Sequence, residues 1–353
     1  MCRLDAVAAA SLCCGLFLLR PGSAALGIAT GLERCAQSMI PALFPFLVIS
    51  EFICQTGNAS LAGLPFRPLC RLMRISPEGG SAFFMGMLGG FASGASSTSS
   101  LVQSRTLTPG EAGRLICGCA GISPAFAVSA VGYGMLGNRF AGWALFLGNW
   151  AACFFCGWLV SFRSAEPKQK QSPCKTSAEQ PPLGDAFVAA VNGAVAKMLT
   201  ICGFVIVFAL FAAVFLPDDA PSKSALALNL LLEISAGCRS AAAQPEGQIF
   251  FGTISMSCLG LCGLAQMRAI LPASVSLRAF LLTRPLHTAV AYGCARLFLR
   301  VLPGDAAALT AVPGGERLIL ASSLPWESAL CLFLFLAVTC QAITSLRHSA
   351  NPL

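Results

Sequence analysis

The chain has 353 residues, is 56% hydrophobic and only 11% charged, and has a mean hydropathy of +0.74. Soluble domains carry about 25% charged residues, so this composition excludes a soluble protein and indicates an integral membrane protein. The formal charge of +8 does not mark a nucleic-acid binder, because the basic residues sort by loop, as topology signals do.

In chain order, apolar runs long enough to cross about 30 Å of hydrocarbon are predicted at 5–19, 41–56, 115–137, 140–162, 199–216, 249–267, 285–302 and 326–346. The first run follows Arg3 and Asp5, and the site Ser23-Ala24-Ala25 is only a weak signal-cleavage sequence, so a retained first helix is expected. Two polar, small-residue interruptions stand inside this apolar sequence. One is Gly89-Gly90-Phe91-Ala92-Ser93-Gly94-Ala95-Ser96-Ser97-Thr98-Ser99-Ser100, and the other is Leu232-Glu233-Ile234-Ser235-Ala236-Gly237-Cys238-Arg239-Ser240. Backbone that leaves the helix at membrane depth strands N–H and C=O groups, so such breaks survive only when buried in protein or lining a wet cavity. Paired breaks in corresponding positions of two halves point to a transport-type binding site.

Basic residues mark cytoplasmic loops. With Arg3 inside, the groups Arg67, Arg71 and Arg74, then Arg105 and Arg114, then Arg163, Lys168, Lys170 and Lys175, all fall inside, as do Arg268, Arg278, Arg284 and Arg347. This holds when each interruption is a re-entrant hairpin, the first opening inward and the second outward. Lys197 is then expected at the inner interface. The stretch 164–184 is polar and proline-punctuated, hence a flexible cytoplasmic linker.

The expected fold is all-α and polytopic, with two inverted repeats, each holding a re-entrant hairpin and a broken transmembrane helix. Its parts are an N-terminal transmembrane helix (1–30), a first repeat (31–163), the linker (164–184), a second repeat (185–302), and an outer loop with a C-terminal transmembrane helix (303–353). The helix breaks are expected at Gly118-Cys119-Ala120-Gly121-Ile122-Ser123-Pro124 and at Leu259-Gly260-Leu261-Cys262-Gly263-Leu264-Ala265-Gln266. In the second repeat, an entry helix with Asn192 and Lys197 precedes a separate span.

Several residues are candidates for contacting a solute. Glu51 sits in or near the end of an apolar span, where an acid is functional by default unless the interface solvates it. Glu233 precedes the second interruption, where freed amides and a carboxylate converge on a hydroxyl-rich or cationic solute, or where the acid simply caps the following helix. Ser93, Gly94, Ser96, Ser97 and Thr98 offer hydroxyls and close backbone approach, or serve helix packing. Ser123, Ser235 and Gln266 complete the set. Arg284 and His287 share a helix face and read as interfacial anchors. The 18 cysteines read as small packing residues, because the two histidines cannot form a metal-binding cluster with them. No Walker loop, HExxH helix, dinucleotide fingerprint or nucleophile elbow occurs, so no enzyme, cofactor or metal is expected.

At these residues the chain resembles the YlbJ family of sporulation integral membrane proteins, in the nucleoside-recognition (Gate) domain group. The likeness is carried by Pro41-Ala42-Leu43-Phe44-Pro45-Phe46 with Ser50-Glu51, then Ser93-Gly94-Ala95 and Ser123-Pro124-x-Phe126. It continues through Leu232-Glu233-Ile234, Gly260-Leu261-x-x-Leu264-Ala265-Gln266 and Arg284-x-x-His287. The resemblance implies a multipass cell-membrane protein of spore-forming bacteria acting in spore envelope (cortex) formation. Family members carry a proline and a basic residue in the first hairpin, where this chain has Ala92 and Ser96. They carry an asparagine before the Ser-Pro pair, where it has Ala120 and Gly121. The expected function is that of a permease-like binder or transporter of a small polar solute, nucleoside-like by resemblance. The alternative is a non-transporting scaffold for envelope assembly. Expected partners are the lipid bilayer and that solute, with a homo-oligomer left open, no nucleic acid, and both termini cytoplasmic.

Overall fold

The computed structural model describes residues 17–56, 63–163, 182–215 and 223–301, with residues 15 and 61. The runs 326–346 and most of 5–19, and nearly all of the linker, lie outside the described residues. Among the described residues the protein is helical, with no strand, and it is an all-α polytopic membrane protein.

Helix α1 (Pro21–Arg34) widens into a π-helical turn at Cys35–Met39 and continues as α2 (Ile40–Gln55). Pro41 explains the widening, since it removes a backbone donor and its ring crowds the carbonyl of Gln37 within the turn. After the short α3 (Arg67–Leu72) come α4 (Gly80–Gly89) and α5 (Phe91–Gln103). Next are α6 (Pro109–Cys119), a π-helical segment (Ala125–Met135) and α7 (Arg139–Arg163). Thr108 and Glu111 start α6 with a reciprocal capping box.

The second half opens with α8 (Leu183–Phe215), then α9 (Lys223–Leu232) and α10 (Ile234–Ala242), and ends with α11 (Gln248–Cys258), α12 (Gly260–Ile270) and α13 (Arg278–Val301). The expected entry helix and span of this half are one helix. The sequence from Asp185 to Phe215 contains no proline and no polar cluster that would end it, so α8 runs unbroken for 33 residues, about 50 Å. Among the described residues, three stretches are long and apolar enough to cross a membrane: Arg139–Phe162, Leu183–Phe215 and Gln248–Ile270.

The main core runs through α4 to α7 and α11 to α13, around Phe83, Leu115, Ile116, Trp150, Met256 and Phe280. A second cluster joins α2 to α8 around Leu47, Ile201 and Val205. Small residues permit the close approaches: Gly27 and Gly31 of α1 lie against the backbone of α8 at Leu210 and Ile206.

Candidate functional site

Both interruptions are antiparallel helical hairpins. In the first, Gly90 turns the chain at φ +81°, a conformation open to glycine. The Ser81 and Ser97 hydroxyls then face each other at 3.4 Å across α4 and α5. Gly86 and Gly94, one on each arm, both lie against the carbonyl of Cys119, so side chains there would push α6 away. In the second hairpin Glu233 is the tip, and Asn229 Nδ2 donates to Ser240 Oγ at 2.8 Å across α9 and α10.

Each hairpin tip meets the broken helix of its own half. The first break is Ala120–Ser123, and a Cβ on Gly90 would stand 3.2 Å from the Ser123 nitrogen. The second break is Leu259–Gly260, with φ of +62° and +65°, and a Cβ on Gly260 would stand 2.9 Å from the Glu233 nitrogen. Two residues of α7 hold the first break: Asn149 Oδ1 accepts the Ile122 N–H at 3.1 Å, and Trp150 Nε1 donates to the Ile122 carbonyl at 2.9 Å. Sequence reasoning missed both. A lone Asn-Trp pair in an apolar helix carries no pattern that names a partner 27 residues away.

A cavity of about 50 Å³ lies where the two tips and two breaks converge. Gly90 and Phe91 border it from the first tip, Glu233 and Ile234 from the second, Ser123 and Phe126 from the first break, and Cys262, Gly263 and Gln266 from the second. Met39, Leu43 and Val205 close an apolar side. The first turns of four helical segments (α5, α10, α12 and the π-helical one) therefore face one space. Helix N-termini carry partial positive charge and free amides. Those of α5 and α12 have no side-chain cap.

Of the expected site residues, Ser123, Glu233 and Gln266 border this cavity, whereas Glu51, Ser93, Gly94, Ser96, Ser97, Thr98 and Ser235 do not. Glu233 is 2% exposed and caps α10: Oε1 accepts the Ser235 amide and Oε2 the Ala236 amide, both at 2.9 Å. Arg34 Nη1 stands 3.6 Å from Oε2. That carboxylate is thus held by two amides and a guanidinium, which leaves it little capacity for a cationic solute. Gln266 donates to Cys262 Sγ at 3.2 Å, and Ser123 Oγ accepts the Phe126 amide at 3.3 Å.

The first hairpin's hydroxyls are taken up within the protein. Ser93 bonds to the Gly89 carbonyl, and Thr98 to the Gly94 carbonyl and the Cys119 thiol. The Ser235 hydroxyl is buried with no partner among the described residues. Ser96 instead joins a buried ionic cluster. It donates to Glu51 Oε1 at 2.9 Å, and the Lys197 ammonium donates to both Glu51 Oε1 and, at 2.7 Å, Ser96 Oγ. Lys197 stands about 21 Å from the start of α8 by helical rise. Arg284 and His287 are buried rather than interfacial anchors: Arg284 donates to the Phe280 and Ser257 carbonyls, and His287 Nε2 lies 3.3 Å from Cys153 Sγ.

Over 206 residues the chain is 29% identical to the sporulation integral membrane protein YlbJ of Bacillus subtilis (strain 168). The match covers 52% of this chain and 49% of the relative, so the chain spans about half the length of the curated relative it matches. No family model matches the chain, and no solved structure does. The protein is an all-α polytopic membrane protein that is similar to YlbJ over about half of its length.

Proposed function

We propose that the protein is a permease-like membrane protein that binds a small polar solute between its two hairpin tips, and that it acts in spore envelope formation. The observation that carries this reading is the cavity bordered by both tips and both helix breaks. Irregular backbone at membrane depth is retained where it lines a ligand space. The repetition of hairpin followed by broken helix, tip against break, supports treating 31–163 and 185–302 as inverted repeats. The electrostatics refine the solute. Uncapped amides at two helix starts, with the one carboxylate already neutralised, favour a hydrogen-bond acceptor or anion. Phe91, Phe126, Leu43 and Val205 favour a solute with an apolar face.

Thermal unfolding of the purified chain, screened against carboxylates, phosphates, nucleosides and cell-wall precursors, tests the proposal. A bound solute at 100 times its Kd stabilises the native state by about 2.7 kcal/mol. Stabilisation by at least one class, lost on replacing Gly263 with a bulky residue, is the expected result. A flat profile across the panel would instead support a non-transporting scaffold. That second reading is favoured by the first hairpin's hydroxyls, which are spent on internal contacts.

A further inference from the structure

An open groove of about 780 Å³ runs over the loop 271–277 onto α12 and the start of α13. Its size falls within the about 300–1,000 Å³ typical of small-ligand sites. Helix α12 divides its faces between this groove and the central cavity. Leu261, Leu264 and Arg268 border the groove, whereas Cys262, Gly263 and Gln266 border the cavity. At 3.6 residues per turn these two groups lie on opposite sides of the helix.

Each helix carries its arginine at the loop end and its leucines further from the loop. Going back along α12, Arg268 is followed by Leu264 and Leu261; going forward along α13, Arg278 is followed by Leu281. By helical rise Leu261 lies about 10 Å from Arg268, and Leu281 about 4.5 Å from Arg278. The groove is therefore cationic at the loop and apolar away from it. We propose that it binds an anionic phospholipid, with the phosphate at Arg268 and Arg278 and the acyl chains along the leucines.

No acid in the groove offsets the two cations. From Gly247 to Gly304 the sequence has five arginines and no Asp or Glu. Arg268 Nη1 donates to the Val275 carbonyl at 2.9 Å, and the Arg278 guanidinium makes no hydrogen bond or ion pair among the described residues. Helix α6 packs on the loop at Gly113, where a Cβ would stand 3.1 Å from the Ser276 carbonyl. The one acid of α6, Glu111, is bonded to Ser76 and Thr108. Guanidinium forks take phosphate oxygens in pairs, and basic pockets between membrane helices hold lipid headgroups. A free phosphate would use the arginines alone. Leu261 and Leu281, 44% and 47% exposed, match acyl chains in the same groove. The proposal does not rest on the cavity reading, because lipid binding is measured without solute.

The test is native mass spectrometry of the full chain in detergent, offered phosphatidylglycerol or phosphatidylcholine of the same acyl chains. The wild type should retain phosphatidylglycerol over phosphatidylcholine by at least about tenfold, since each arginine near a headgroup is worth about fivefold. Arg278→Gln, at an exposed position, should fold and lose about fivefold in retention. Should it not fold, Arg278→Lys carries the test with a smaller loss, because lysine keeps the charge but not the fork. Arg300→Gln, the same charge change at the far end of α13, should retain the lipid like the wild type. Four results would overturn the proposal. They are equal retention of the two lipids, no loss in either Arg278 variant, the same loss in Arg300→Gln, and thermal stabilisation by inorganic phosphate equal to that by phosphatidylglycerol. A dimer that Arg278→Gln dissolves, without lipid preference, would assign the groove to a second copy of the chain instead.

Discussion

The side-chain oxygen of Asn149 accepts the Ile122 amide at 3.1 Å, and the next residue, Trp150, donates to the Ile122 carbonyl at 2.9 Å. Two consecutive side chains of α7 thus satisfy both backbone groups of one residue in the first helix break. The break is therefore held from outside by α7.

Replacing Asn149 with leucine leaves the Ile122 amide buried without a partner. A loss of about 1–3 kcal/mol is expected, the cost of an unsatisfied buried donor. Trp150→Phe loses a single neutral hydrogen bond and should cost about 1 kcal/mol. Asn149→Asp keeps an acceptor at the same place and should lie between wild type and leucine. Chemical denaturation of the purified chain in detergent measures all three. Equal stability of Asn149→Leu and wild type would show that the break is held by other contacts.

Glycine substitutions separate the close-packed hairpin from exposed helix surface. A Cβ on Gly86 collides with the backbone carbonyl of Cys119, which cannot rotate away, so Gly86→Ala should destabilise by about 1–3 kcal/mol. Gly203 and Gly293 have nothing within 4 Å of a Cβ. Alanine there should be neutral or stabilise by up to about 1 kcal/mol through helix propensity. The contrast between the sites, read from thermal midpoints, is the informative quantity.

Glu233 combines a cap with a cavity position. Glu233→Ala removes acceptors for two amides and should cost about 0.5–2 kcal/mol. Glu233→Gln keeps one acceptor oxygen but leaves Arg34 without its carboxylate. If the tip contacts solute, Glu233→Gln should abolish complementation in a spore-forming host while membrane abundance stays near normal. Loss of the glutamine variant from the membrane would assign Glu233 a structural role only.

The sequence was most legible where it was discontinuous. Glycine and serine runs inside apolar sequence located both hairpins, and Gly121, Pro124 and Gly260 located both breaks, because backbone geometry is encoded locally. The capping alternative for Glu233 was also readable, since a carboxylate two residues before Ser235-Ala236-Gly237 is a local arrangement. Partners of side chains were not legible. The Lys197–Glu51 pair joins residues 146 positions apart, and charge counting gives a lysine no partner. Likewise Arg284 and His287 gave a helix face but no hint of depth, because burial depends on what packs against the face. The hydroxyls of α5 were dense enough to suggest a cavity, but the antiparallel arm α4, the α5 backbone, the Cys119 thiol and Glu51 absorb them.

The proposed inverted arrangement predicts that the two hairpins open toward opposite faces of the membrane. Each hairpin is antiparallel, so the end of its second arm lies on the face from which the hairpin enters. For the first hairpin that end is the loop after Gln103, which contains Arg105, and for the second it is the loop after Ala242, which contains Glu246. The basic residues Arg67, Arg71 and Arg74 precede the first hairpin and Arg105 follows it, so the charge bias of membrane loops leads us to propose that it opens on the cytoplasmic side. Single cysteines replacing Arg105 and Glu246 in a cysteine-free background should therefore label from opposite sides, Arg105→Cys from the cytoplasm and Glu246→Cys from outside. Replacement of the native thiols should be tolerated at most positions, because they act as small packing groups and the described ones are free thiols. Labelling of both loops from the same side would mean that the halves are parallel. The two tips would then enter from one face, and a cavity between them could not be reached alternately from each side of the membrane.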